Sequence, residues 1–290
     1  MLPASAARML RLAVGCAATA LVPRANAQRI QLVLRPRVGD TITMRLDQQT
    51  EVFGRREGKS QSLAPTAPSS ASMINSTVTY SRAVVESAVA AFTTIVAITD
   101  SVLISSTDQH GQASAAATER QMKGQRVRLT VAPEGSIGMP SDGSAPPQSI
   151  SRTASLIPAT FPVNPVAIGE KWFREAPLPA GTSQLGTGIV GRVKAAFRLD
   201  STTHGGDRAY VSMHGELLPD ANSKGMDGVP MVEGGTVDGY MVVDNSRGWL
   251  TESQFTIVAH SVLLPSFGIM SQPMYFEIRL TQRLRTIDKR

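Results

Sequence analysis

The chain has 290 residues, of which 42% are hydrophobic, 18% charged and 5% aromatic. That is enough length and apolar content for one large domain or two ordinary ones, and it excludes a disordered chain. No G-X-Y or heptad pattern runs through it, which excludes collagen and coiled coil.

Arg8 and Arg11 precede an apolar stretch from Leu12 to Val22, 11 residues long. Ala25-Asn26-Ala27 then supplies the small-x-small pattern that a signal peptidase needs. Residues 1–27 therefore read as a secretory signal peptide cleaved before Gln28, the apolar run being too short to span a bilayer. Ala13-Val14-Gly15-Cys16 is a weak lipobox, because Ala13 stands where leucine is usual, so lipid anchoring at Cys16 is disfavoured. Cys16 is the single cysteine, and its loss with the leader leaves no disulfide, thiol nucleophile or Cys-ligated metal. Removing Arg8, Arg11 and Arg24 from the 29 basic residues leaves 26 against 23 acidic ones, a net charge of +3. With no run of five like charges either, nucleic acid is a poor partner for this chain.

Beyond the leader, period-two alternation dominates. Ile42, Met44 and Leu46 point one way and Thr43, Arg45 and Asp47 the other. The same holds for Val127, Leu129 and Val131, for Val193, Ala195, Phe197 and Leu199, and for Met274, Phe276, Ile278 and Leu280. Such one-sided strands mark antiparallel sheets, since parallel sheets are covered on both faces. Phe92 to Ile98 and Tyr210 to Leu217 are more continuously apolar and read as central strands. Pro133-Glu134-Gly135, His204-Gly205-Gly206-Asp207 and Asn245-Ser246-Arg247-Gly248 read as hairpin turns. Gly54 to Ser72, Gln109 to Gly124 and Leu218 to Gly235 read as polar loops, with a helical turn available at Ala113 to Met122. The best helix candidate is Ser149 to Ile157, ended by Pro158 and Pro162.

Val38-Gly39-Asp40-Thr41 and Ile168-Gly169-Glu170-Lys171-Trp172 form an internal echo, each introducing a series of strands. The expected fold is mainly β: long antiparallel strands in two related curved sheets or incomplete barrels, with a short connecting helix. The expected organisation is a first β-rich half over 28–140, a linker with the helix over 141–164, and a second β-rich half over 165–290.

The segments Leu34-Arg35-Pro36-Arg37-Val38-Gly39-Asp40, Pro165 to Trp172, Arg247-Gly248-Trp249-Leu250 and the closing strand around Gln272-Pro273-Met274 and Leu280 to Arg283 carry a resemblance. Through them the chain resembles a family of exported bacterial proteins classed as a domain of unknown function, many of whose members are lipoproteins. The resemblance implies an exported β-rich protein and brings no catalytic residues.

Catalytic and metal-binding patterns are weak. Gly135-Ser136-Ile137-Gly138 lacks the first glycine of a nucleophile elbow and sits outside any strand-to-helix turn. His110, His204, His214 and His260 show no ligand spacing. Asp220 to Gly225 begins like a calcium loop, but Lys224 puts a cation at the fifth position and Met231 replaces the closing glutamate. Asn75-Ser76-Thr77 matches an N-glycosylation acceptor, which means little in a chain of bacterial character. No enzyme, metal or cofactor is expected.

Trp172 and Trp249 each open a strand and read as caps on a core. Phe197, Phe255 and Phe276 fall on apolar faces, either as core or as the walls of a cavity for an apolar ligand. The leading functional expectation is a non-enzymatic periplasmic or envelope protein that binds or carries an apolar molecule. The alternative is an interaction module in an envelope assembly, with a strand edge pairing to another protein. No transmembrane span remains after signal cleavage.

Overall fold

The computed structural model describes residues 29–56, 70–89, 92–107, 109–138, 161–177, 191–219, 231–263 and 273–287. The expected signal peptide at 1–27, the helix candidate at 149–157 and the calcium-like loop at 220–225 lie outside the described residues.

The described strands are β1 (Thr41–Arg56), β2 (Ser70–Val89), β3 (Phe92–Ser106), β4 (Arg126–Val131), β5 (Ile137–Gly138), β6 (Lys171–Pro177), β7 (Gly191–Thr203), β8 (Arg208–Pro219), β9 (Met231–Asp244), β10 (Trp249–Leu263) and β11 (Met274–Ile287). They form one open, curved antiparallel sheet of 11 strands in the order β5-β4-β3-β2-β1-β11-β10-β9-β8-β7-β6. The two expected curved sheets are thus two halves of one, joined where β1 pairs with β11 from Thr43 opposite Ile287 to Arg56 opposite Met274. Fourteen such pairs make the seam as continuous as any hairpin in the molecule.

The alternation read from the sequence sets which side chains face inward. In β7, Val193, Ala195, Phe197 and Leu199 are buried while Arg192, Lys194 and Arg198 are exposed. In β11, Ile278 and Leu280 are buried, and Gln282 continues the same face. The three expected hairpin turns link β4 to β5, β7 to β8 and β9 to β10. Because Ser136 lies in the first of them, it belongs to a strand–turn–strand and not to a nucleophile elbow. Its hydroxyl donates to Glu134 at 2.7 Å.

One expected loop differs. Gln109 to Met122 is a helix, α1, packed on β3. It has no apolar stripe to reveal it by periodicity. It is held by polar anchors: the Ile104 N–H donates to Glu119 at 2.7 Å, and the Gln112 amide donates to the Ser106 carbonyl at 2.7 Å. No helix among the described residues is long and apolar enough to cross a membrane.

The two echo motifs fold alike. The Gly39 N–H donates to Val85 and the Val85 N–H to Asp40; correspondingly, Gly169 donates to Leu199 and Leu199 to Glu170. In each turn the acid accepts the N–H three residues back, Arg37 for Asp40 and Ala167 for Glu170. That contact holds the Glu170 carboxyl below its usual range, reinforced by Arg29. Each turn therefore ties the start of its first strand to the second strand of the same half.

Residues 29–37 close one end of the curved sheet. Ile30 exchanges two backbone hydrogen bonds with Val166, Leu34 donates to Pro133 and Arg35 to Gly248. Leu32, Leu34, Pro36 and Phe161 are buried beneath this crossing. At Gly248, φ is +62° and an added Cβ would lie 2.4 Å from the Arg35 carbonyl oxygen, so the turn requires glycine there.

Candidate functional site

The inward face of the sheet carries buried apolar residues along both halves, and an apolar cleft opens on the side of β1 to β4. Across β7 to β10, Phe197, Leu199, Val211, Leu217, Val237 and Phe255 are all buried. The Trp172 ring stacks on Phe197 with centroids 5.7 Å apart and planes 12° apart. Across β1 to β4 Ile42, Val85, Ile95, Val127 and Leu129 are buried as well, and beside half-buried Thr79, Ser81 and Ala97 an apolar cleft of about 170 Å³ opens.

Met44, Leu46, Thr79, Ser81, Ala97 and Thr99 form its walls from β1, β2 and β3. Leu129 and Val131 of β4, Met122 of α1 and Leu34 of the crossing segment also border it. The far side comes from the other half: Trp249 and Leu250 of β10, and Gln282 and Leu284 of β11. No lining residue among the described residues is charged. A dry apolar cavity of about 150 Å³ holds a benzene-sized molecule, so this cleft has room for one ring or a short acyl segment.

Three polar groups at the seam with the packed half lack partners. Gln282 is 1% exposed, and neither atom of its amide has a hydrogen-bond partner among the described residues. The same is true of the Trp249 indole N–H and the Ser253 hydroxyl. Trp249 and Gln282 line the cleft, and Ser253 stands opposite Leu284 on the same face. A buried polar group left unpaired costs about 1–3 kcal/mol, so such a cluster is unusual for a face that serves only as core.

The charges lie on the other face. Arg283 donates to Glu252 from Nε at 3.1 Å and Nη2 at 2.6 Å, and the Tyr240 hydroxyl donates at 3.0 Å. The hydrogen bonds from Arg283 hold the Glu252 carboxyl below its usual range despite burial. Burial and the same carboxylate push the Tyr240 phenol up. At the β9–β10 turn, burial of Asp244 favours its neutral form. Hydrogen bonds from the Ser246 hydroxyl and the Arg247 N–H outweigh that and lower its pKa.

Of the three phenylalanines expected as cavity walls or core, Phe197 and Phe255 are buried in the packed half. Phe276 is half-buried and lines a second cleft of about 460 Å³, with Phe53, Tyr275, Glu233, His260, Ser261 and Glu277. The apolar cleft is bordered by other residues. His260 is exposed, and the buried hydroxyl of the adjacent Ser261 has no hydrogen-bond partner among the described residues, so the two are not joined as a base–nucleophile pair. His214 pairs across strands with Asp238 on the outer surface. Among the described residues no group of three or more His, Cys, Asp or Glu side chains converges on a point.

Thr79, Ser81, Trp249 and Gln282 were not singled out as ligand contacts by sequence reasoning. Gln282 carried a signal: it falls at the inward parity set by Phe276, Ile278 and Leu280, a polar residue at an apolar position.

No protein-family model matches the sequence, and no curated protein matches it. Among solved structures, one of lipovitellin concerned with lipid–protein interactions matches at 11% identity and a TM-score of 0.43, over 88% of this chain and 26% of that one. This chain thus spans about a quarter of the lipovitellin chain, and a likeness at that level assigns it no ligand.

Proposed function

We propose that this protein is an exported, non-enzymatic binding protein that holds an apolar molecule in the cleft above β1 to β4. The observation that carries the reading is an uncharged, half-open cleft of about 170 Å³ beside a fully packed core in the same sheet. A face meant only as core would be filled, because unfilled apolar volume forfeits dispersion contacts. The cleft holds a ring or a short chain segment and leaves the rest of a longer molecule outside.

The test is titration of the full chain with a neutral fluorescent apolar probe, beside a Ser81→Leu variant that fills the cleft. Saturable binding by the wild type is expected, with affinity reduced about tenfold in the variant and stability changed by less than about 1 kcal/mol. Absence of saturable binding would remove the reading.

A second reading, an interaction module in an envelope assembly, rests on the edge of β6, which has one strand neighbour among the described residues. Phe173 is 63% exposed there, and Val163 and Ile168, a few positions earlier in the chain, are exposed at 79% and 57%. An unpaired edge beside exposed apolar side chains is a template for a strand from another protein. Phe173→Lys would abolish such pairing and leave probe binding in the cleft intact.

A further inference from the structure

We infer that the ligand of the apolar cleft is a neutral molecule whose apolar body carries a carbonyl with an adjacent N–H, and that Gln282 and Trp249 recognise that head. The inference rests on the binding reading above and adds the chemical class of the ligand.

Three facts carry it. The amide of Gln282 is buried on the inward face of β11, with donor and acceptor both unpartnered among the described residues. The Trp249 indole N–H, a donor only, is likewise unpartnered and lines the same cleft from the start of β10. Every other residue bordering the cleft is apolar, a serine or a threonine.

A carboxamide is self-complementary to another amide group, since it offers one acceptor and two donors in a plane. A ligand carbonyl can accept from the Gln282 amide or from Trp249, and its N–H can donate to the Gln282 carbonyl. Ser253, whose buried hydroxyl also lacks a partner, stands diagonally from Gln282 across β10 and β11 and extends the polar seam.

An ionised fatty acid fits badly. Arg283 and Arg285 lie on the outer face of β11, so a carboxylate in the cleft would meet no cation among the described lining residues. Burying an unpaired charge is far costlier than burying a paired amide. The Gln282 amide is buried, and half-buried Leu284 follows it on the same face of β11, opposite Leu46 of β1. A ligand head reaches the amide through rotamer changes among these cleft-lining side chains.

Calorimetric titration of the full chain with benzamide, its apolar isostere cumene and benzoate tests this at neutral pH. In Gln282→Leu, the benzamide Kd should rise about tenfold or more while the cumene Kd stays within about threefold, the loss expected for one to two hydrogen bonds. Trp249→Phe should act in the same direction. Benzoate should bind the wild type at least about tenfold more weakly than benzamide. Gln282→Leu should melt at or above the wild type, because it removes an unpaired buried amide; if it does not fold, Gln282→Met makes the same comparison.

If cumene binds but benzamide and cumene shift together in the variant, Gln282 does not read the ligand: the inference falls while the cleft reading stands. Benzoate binding as tightly as benzamide would also overturn it. If neither neutral probe saturates, both readings fall together.

Discussion

The two halves of this sheet share strand direction and entry turn, yet the uncharged apolar cleft opens over β1 to β4 while the large inward side chains of β7 to β10 are buried. The packed half places Phe197, Phe255, Leu217 and Met241 inward and relieves the crowding with glycines. At Gly239 an added Cβ would lie 2.3 Å from the Gln254 carbonyl oxygen and 2.8 Å from the Phe255 Cα. The open half presents Thr79, Ser81 and Ala97 at the corresponding depth, all half-buried. Where the cleft opens, the small inward side chains of Thr79, Ser81 and Ala97 leave room between the larger Met44, Ile95 and Leu129.

Four substitutions break or sharpen that contrast. The largest loss is expected for Gly239→Ala, where the new methyl meets backbone that cannot move away without separating β9 from β10. A cost of about 3 kcal/mol is expected in chemical denaturation. A neutral outcome would show that the strands are more loosely apposed than the geometry indicates.

Next comes Ala195→Leu in the packed half. Ala195 is 3% exposed, and its Cβ would lie 3.1 Å from a Cβ added at Gly215 on the facing strand. Overpacking should cost about 2 kcal/mol, read as a lower denaturation midpoint.

Asp244→Ala removes two hydrogen bonds from the β9–β10 turn that positions Trp249, at an expected cost of about 1.5 kcal/mol at neutral pH. The pH dependence follows from the sign of the shift. A carboxyl whose folded pKa is depressed contributes stability that is present above its unfolded value, near 4, and lost as pH falls through the lower folded value. The gap between wild type and variant should therefore close as the solution is acidified below about pH 4. A gap constant down to strongly acidic pH would show that the carboxylate is not what holds the turn.

The smallest effect belongs to Ala97→Leu, the counterpart of Ala195→Leu in the open half. The added side chain enters the cleft, so stability should change by less than about 0.5 kcal/mol while probe affinity falls. Equal destabilisation by the two leucines would erase the contrast between the halves.

Much of the architecture was legible residue by residue. The inward faces of β7 and β11 follow from strict alternation, and the turns at Pro133, His204 and Asn245 from their glycines and Asx residues. Helix α1 was legible only as a helical turn, because Ala, Gln and Arg favour a helix but supply no apolar stripe. The cleft was not legible at all. Its walls come from β1 to β4, α1 and residue 34 on one side and from β10 and β11 on the other, more than 200 positions away in places.

The sequence by itself determined the local pattern: which residues extend, which side of each strand is apolar and where the chain turns. These depend on neighbours two to four positions apart, a distance over which side-chain direction is set by backbone geometry alone. Tertiary structure decided that β1 lies against β11, which merges two halves into one sheet and brings Gln282 and Trp249 to the edge of an apolar space. No local pattern encodes that choice, because every strand with one apolar face can pair with any other. The partner and register actually taken depend on the summed burial of the whole face.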